Sequence, residues 1–535
     1  MRMIFALLIA TAAFADTIVG TRPRVEMDAT RVTWLQAQRT ANTIYWQRFK
    51  SRCDTKIDAG TGVFSYEKAR TIACAGLLSL MDDTLTHTGS QYNGEKYARI
   101  TWIFGGALVN SRGTLCNDDV ANEHRTECWG FALAYDWAYH DQTGSSAEFT
   151  AVQNQLIAMC NQAATGSNPN VVAGDLFSLG GACLALGSDY ASAQSKWDTV
   201  WRPAWNTYFT NFMTGAGGYF AGGDHGEGVE YGWQTITLLM RFIDSARTAT
   251  GEDIAAIWNP AWPNSLVDAL YAWTTPSGLA TSFSYSIPLG TASCTGCTMY
   301  EMLAFGDLQN AELNTPSAIR AYAKAYREGA LYALRYFREQ GDTNRAAYMQ
   351  YYVNTFLPYW SYSSMTEILV THDPWMTEFL ALDPSQAATD YNTVNGTCYQ
   401  VTGQRQAICK NTKDTSALHL FYSGGGGHVG HSADNAGAIS LFVNNIYAMN
   451  STIGYFNAAK ASRSHSTVLV NGHGSFEDGA VSWQGGSSRP LPGTMTIAEH
   501  AGYAAIHPAS SPRRPRSCRA RSPARCCGCA TPWRR

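Results

Sequence analysis

At 535 residues the chain exceeds one ordinary hydrophobic core, so two large domains are expected. Hydrophobic residues make up 45% and charged residues 15%, which excludes a disordered chain and marks a folded globular one. The net charge is −3, but eight Arg crowd into residues 510–535, and without them 31 basic residues face 42 acidic ones. So acidic a body is a poor match for nucleic acid.

The first residues, MRMIFALLIATAAFADT, place one Arg before an apolar run that ends in Ala-Phe-Ala. That pattern reads as a signal peptide over residues 1–15, cleaved after Ala15, and implies a secreted or periplasmic protein. The run is too short to anchor the chain in a bilayer, and no later segment reads as a membrane span. Export makes the cysteines legible as a disulfide framework. Cys53, Cys74, Cys116, Cys128, Cys160, Cys183, Cys294, Cys297, Cys398 and Cys409 fall into neighbouring pairs, which suggests five local bridges, although spacing alone does not prove connectivity. The isolated CxxC at Cys294 and Cys297 lacks the second pair that a zinc site would want.

From about Val32 to Leu382 apolar residues recur every three to four positions, as in ATRVTWLQAQRTANTIYWQRFKSR, CWGFALAYDWAYH, VEYGWQTITLLMRFIDSAR and SAIRAYAKAYREGALYALRYFREQ. About a dozen helices are expected, arranged as a bundle, a solenoid or a toroid of helical hairpins. No fixed-period repeat stands out, which disfavours a regular solenoid. The 16 Trp and 28 Tyr are either a large aromatic core or flat platforms for stacking sugars.

Within this region GGYFAGGDHGEGVEYGW, residues 217–233, gathers Asp224, His225, Glu227, Glu230, Tyr231 and Trp233 at the start of a helix. An acidic N-cap is the plainer reading, but a cap needs one acid rather than four polar residues and two aromatics. After about Tyr391 the texture changes. AGAISLFVNN, SHSTVLVNG and GTMTIAEHAGYAAIH are short, alternating and bounded by Gly, Asn and Ser, and they read as strands. GGGGHVGHSADNAG, residues 424–437, sets His428, His431, Asp434 and Asn435 among glycines, and His465 follows. Such a set is a polar hairpin or a site where backbone approaches a ligand, and His/Asp clusters also suit zinc. The tail SSPRRPRSCRARSPARCCGCATPWRR has no acidic residue and reads as out-of-frame translation of GC-rich DNA rather than as a basic binding arm.

Four stretches, in order, resemble the heparinase II/III-like family of polysaccharide lyases: GDHGEGVEYGW, AFGDLQNAE, GHVGHSADNAGAISLFVNN and SHSTVLVNG. The resemblance covers about residues 30–508. It implies an (α/α) toroid over 16–388, an antiparallel β-sandwich over 389–508 that is incomplete if the tail over 509–535 is frameshifted, and an active cleft between the two. It further implies β-elimination on a uronate-containing polysaccharide or oligosaccharide, with a Tyr and a His moving the protons. His431 aligns with the catalytic His. Tyr285 is the first candidate for the Tyr and Tyr231 the second. His225 and Glu227 would hold the substrate carboxylate or orient the Tyr, while Trp233, Asp224, Glu230, His428 and Asn435 would bind substrate.

The chain departs from the family pattern at the metal. In the alignment through Asn435 the second His falls on Ala433 and the ligand Asp near Asn450, so that only His465 keeps its type. No cofactor is then firmly implied. An alignment through His428, His431 and Asp434 leaves a structural zinc or calcium ion open, with Asp434 and His465 as ligand candidates. Two other classes remain: a glycoside hydrolase on the same toroid using Asp224, Glu227 and Glu230, and an inactive carbohydrate-binding homologue.

Overall fold

The computed structural model describes residues 17–117, 123–163, 169–209, 221–223, 228–255, 261–302, 316–357, 373–396, 398–401, 406–410, 418–423, 438–443, 446–449, 495–500 and 503–508. Four helices open the chain: α1 (Ala29–Thr40), α2 (Ile44–Asp58), α3 (Ser65–Met81) and α4 (Tyr97–Arg112). The first two start where a side-chain oxygen can take an orphan N–H: Asp28 accepts from Arg31 N and Thr43 from Trp46 N. Then follow α5 (Trp129–Trp137), entered through a π turn at His124–Cys128, α6 (Ser146–Cys160), α7 (Pro169–Asp175), α8 (Gly181–Leu186) and α9 (Arg202–Tyr208). The helical part ends with α10 (Gly228–Thr250), α11 (Ala261–Trp273), α12 (Pro316–Glu339), α13 (Thr343–Thr355) and α14 (Pro374–Ala381). In α14, Asp373 caps Trp375 N and Pro374 takes the first helical position, where its missing N–H costs nothing.

The packing closes on itself. Helix α3 packs on α5, α5 on α8, α8 on α10, α10 on α12, α12 on α14, α14 on α2 and α2 back on α3. Outside this ring α4 packs on α3 and α6, and α13 on α12 and α11. A closed ring of helical hairpins has no edge helix, so every inner helix buries two flanks. Among the described residues nine Trp are fully buried in the helical region, including Trp102, Trp129, Trp137, Trp201 and Trp273. They belong to the core, not to sugar-stacking platforms.

One end of the ring is stapled by the segment from Val19 to Arg39, and it is the end where the inner helices finish. Arg24 donates to the carbonyls of Leu184, Ala185 and Leu186 at the end of α8, and Val19 N to Ala249 at the end of α10. The Asp136 carboxylate, near the end of α5, accepts from the backbone N–H groups of Arg24 (2.7 Å) and Val25 (2.8 Å). Glu26, buried and held at φ 57, pairs with Arg241 and accepts from the Tyr332 hydroxyl (3.1 Å). Arg31 pairs with Asp244 and Glu339, and Arg335 with Asp244. Arginines set against helix C-termini complement the negative ends of the helix dipoles.

Among the described residues four disulfides hold consecutive elements: Cys53–Cys74, Cys116–Cys128, Cys160–Cys183 and Cys398–Cys409. Each joins the neighbours expected from the sequence. The side chains of Cys294 and Cys297 lie outside the described ones.

Two features differ from the sequence reading. The helical region is interrupted by a long antiparallel hairpin, β1 (Thr274–Ile287) with β2 (Gly290–Met302), whose Thr, Ser and Gly content carries little apolar alternation. Residues Asn170–Asp189 are also long and apolar enough to cross a membrane by length and composition, although no such segment was expected. Of their apolar window 89% is buried, since they form one inner wall of the ring.

The strands after Tyr391 are β3 (Cys398–Val401), β4 (Gln406–Lys410), β5 (Leu418–Ser423), β6 (Ala438–Val443) and β7 (Ile446–Met449), one antiparallel meander in chain order. A separate hairpin pairs β8 (Met495–His500) with β9 (Tyr503–Pro508). The described strands after Tyr391 thus make one five-stranded sheet and a hairpin, and a second sandwich layer is not among them.

The stapled end sets an acid-stability prediction. Burial opposes ionisation of Asp244, but Arg31, Arg335 and Arg247 outweigh it and hold the carboxyl well below its usual range. A depressed folded pKa contributes stability that is complete above the unfolded value of about 3.9 and is lost as pH falls through the folded one. Asp244→Asn should lower the urea stability at pH 7 by about 3–5 kcal/mol. It should also flatten the decline of the urea midpoint between about pH 5 and pH 3 relative to the parent protein.

Candidate functional site

The inner helices finish at the stapled end, so they begin at the other, and the sequence motif at 217–233 leads into the start of α10. Gly222 (φ 89) and Gly223 (φ 83) adopt left-handed conformations. A Cβ on Gly223 would fall onto the carbonyl oxygen of Ser265 in α11. Two consecutive left-handed residues favour glycine, and at Gly223 there is no room for a side chain either. The sheet meets the loop here. The Tyr399 hydroxyl on β3 donates to the Gly222 carbonyl at 2.7 Å, and a strand from the C-terminal region thereby touches the entry to the motif.

The individual candidates fall as follows. Glu230 and Tyr231 stand in the first turn of α10. Trp233 is 2% exposed, with its ring 5.1 Å from Tyr326, and Gly329 of α12 makes room for it: a Cβ there would lie 2.6 Å from the indole. As placed, Trp233 packs α10 on α12. Tyr285 lies in β1, in register with Ala292. Asp224, His225, Glu227, His428, His431, Asp434, Asn435 and His465 lie outside the described residues. His428, His431, Asp434 and Asn435 fall in the connection from β5 to β6, whose flanking residues Ser423 and Ala438 are paired. Among the described residues no three His, Cys, Asp or Glu side chains gather as a metal site.

A polar cluster that the sequence reading passed over lies where the π turn before α5 meets α7. Buried His124 places Nδ1 2.6 Å from Asp175 and Nε2 3.4 Å from the Cys116 carbonyl. Ser178 donates to the His124 carbonyl. Gly174 allows the close approach, because a Cβ there would lie 2.8 Å from Cβ of Arg125. Asn170, at the start of α7, buries an amide oxygen that has no hydrogen-bond partner among the described residues. Nearby Glu127 meets Arg112 Nε at 2.7 Å, and burial, against the pull of Arg112, pushes its carboxyl up to about 7. A His, an Asn and a Glu spread through ANEHRTECWG and NPNVV show no spacing that would have marked them. The π turn and the fold of α7 onto it bring them together.

No protein-family model matches the chain, and no curated protein matches it. Solved structures do. A heparan sulfate lyase HepC mutant from Pedobacter heparinus superposes with a TM-score of 0.42 and 10% identity, over 78% of this chain and 56% of that one. The heparinase III BT4657 gene product with methylated lysines gives 0.45 and 10%, over 78% and 57%. A further heparinase III gives 0.41 and 8%, over 88% and 72%. The chain therefore spans a little over half the length of the first two.

Two variants test the local readings. Gly223→Ala combines an unfavourable φ with a backbone clash and should lower stability by about 1–3 kcal/mol, read as a shift in urea midpoint, whereas the open Gly20→Ala should not. The raised Glu127 pKa means that the folded state holds a proton which the unfolded chain releases from about pH 4, so the ionised carboxylate weakens the fold as pH climbs toward 7. The melting temperature of Glu127→Gln relative to the parent protein should accordingly rise between pH 5 and pH 8.

Proposed function

We propose that the chain is an exported polysaccharide lyase that cleaves a uronate-containing polysaccharide by β-elimination. The observation that carries the reading is the contact of Tyr399 with Gly222: the sheet whose β5–β6 connection contains His431 reaches the loop that leads to Asp224, His225 and Glu227. Motifs some two hundred residues apart in sequence are thus attached to adjoining parts of the fold.

In this reading His225 and Glu227 hold the substrate carboxylate or orient the Tyr, with cationic His225 offsetting the carboxylate charge. The C5 proton then becomes acidic enough to remove. A Tyr, Tyr285 first and Tyr231 second, and His431 share the proton transfers. One takes the C5 proton, the electron pair forms the C4–C5 double bond as the C4–O4 bond breaks, and the other protonates the departing O4. A Tyr hydroxyl with an ordinary pKa of about 10 needs a cationic or hydrogen-bonding neighbour for this task near neutral pH. Glu230, Asp224, His428 and Asn435 would contact neighbouring sugars. The acidic body favours a weakly charged uronate polymer over a densely sulfated one.

The test is near-ultraviolet absorbance of uronate polysaccharides incubated with the purified protein, beside His431→Ala. The expected outcome is a rising unsaturated-uronate signal on at least one polymer, reduced about 100-fold or more in the variant. New reducing ends without that absorbance would transfer the protein to the hydrolases. Silence in both assays would leave a carbohydrate-binding protein.

A further inference from the structure

A polar cavity, of about 330 Å³, opens where α11 meets β3 and β4. Asp268, Tyr391, Asn392, Asn395, Tyr399 and Lys410 supply its polar lining, and Ala272, Val394 and Ile408 an apolar wall. It is a built feature. The Tyr391 ring is held between Tyr271 (5.3 Å) and Tyr348 (4.7 Å), and its hydroxyl donates to Asp268. Lys410 Nζ donates to the Tyr271 carbonyl at 2.7 Å, and the Cys398–Cys409 bridge ties β3 to β4.

Asp268 is the unexplained group. It is partly buried, receives one hydrogen bond, from Tyr391, and forms no ion pair among the described residues. Burial pushes its carboxyl above the ordinary range. A carboxylate with unused lone pairs facing a cavity calls for a ligand that donates hydrogen bonds. A metal ion fits poorly, because Asp268 is the single carboxylate in the lining and an ammonium shares the space. An anion would meet the carboxylate. A hydroxyl-rich, uncharged ring satisfies the Asp268 acceptor, the Asn392 amide and the apolar wall together.

We propose that this cavity is a subsite for an uncharged sugar ring, set beside the uronate-cleaving site through Tyr399. As a subsite the idea rests on the polysaccharide reading above. It refines the substrate class to a chain in which neutral sugars accompany the uronate.

The test uses the full-length protein and saturation-transfer NMR with the methyl glycosides of glucose, galactose, mannose and N-acetylglucosamine, with glucuronate and galacturonate, and a calcium titration by calorimetry. At least one uncharged glycoside should bind. Asp268→Asn should weaken it about tenfold or more, the loss expected for a hydrogen bond to a charged group. Asn392→Leu, on the cavity wall, should weaken it also. Binding of uronates alone, response to calcium alone, no glycoside binding, or binding unchanged in both Asp268→Asn and Asn392→Leu would each overturn the proposal. The absorbance assay reads elimination separately: glycoside binding without elimination would remove the lyase and keep the sugar site, and elimination without glycoside binding would do the reverse.

Discussion

The rest of the structure depends on a buried knot of charge at one end of the helical ring. Glu26, on a segment with no regular structure, reaches Arg241 of α10 and Tyr332 of α12, while Arg31 of α1 reaches Asp244 of α10 and Glu339 of α12. Charges this deeply buried are tolerable only when paired and hydrogen-bonded, because each alone would keep a desolvation penalty of several kcal/mol. The pairs therefore act in concert. They specify which helices meet and in what register, and they oblige the N-terminal segment to lie across the ends of α5, α8 and α10.

That constraint separates two tasks. The stapled end collects helix C-termini and meets them with arginine. The other end collects helix N-termini, whose dipoles favour negative charge, and Gly222 and Gly223 precede α10 there. A ring closed firmly at one end can carry irregular, polar connections at the other without losing its core. Buried His124, before α5, and the left-handed Gly222 and Gly223, before α10, lie where inner helices begin, in keeping with that division.

Legibility in the sequence followed the strength of the local signal. β6 appears where alternation in AGAISLFVNN placed a strand, and β8 and β9 form the hairpin contained in GTMTIAEHAGYAAIH, because period-two patterning records a half-buried strand directly. The four observed bridges follow neighbour pairing, since consecutive hairpins bring nearby cysteines together. The β1–β2 hairpin was not legible: TTPSGLATSFSYSI is rich in small polar residues and alternates weakly. Nor did Trp content say whether the indoles face a sugar or a core, because side-chain type records size and polarity but not direction.

By itself the sequence determined the order of the architecture, helices and then strands, and the places where chemistry-bearing residues accumulate. Those properties reside in hydrophobic period, turn residues and local composition, each read within a few residues of itself. Only the tertiary structure decided that the helices close into a ring, that Asn170–Asp189 is an inner wall, and that Tyr399 reaches Gly222. It also decided that Asp268 faces a cavity with lone pairs to spare. These depend on which distant groups satisfy one another's charge and hydrogen bonds, and no local pattern in the chain encodes that pairing.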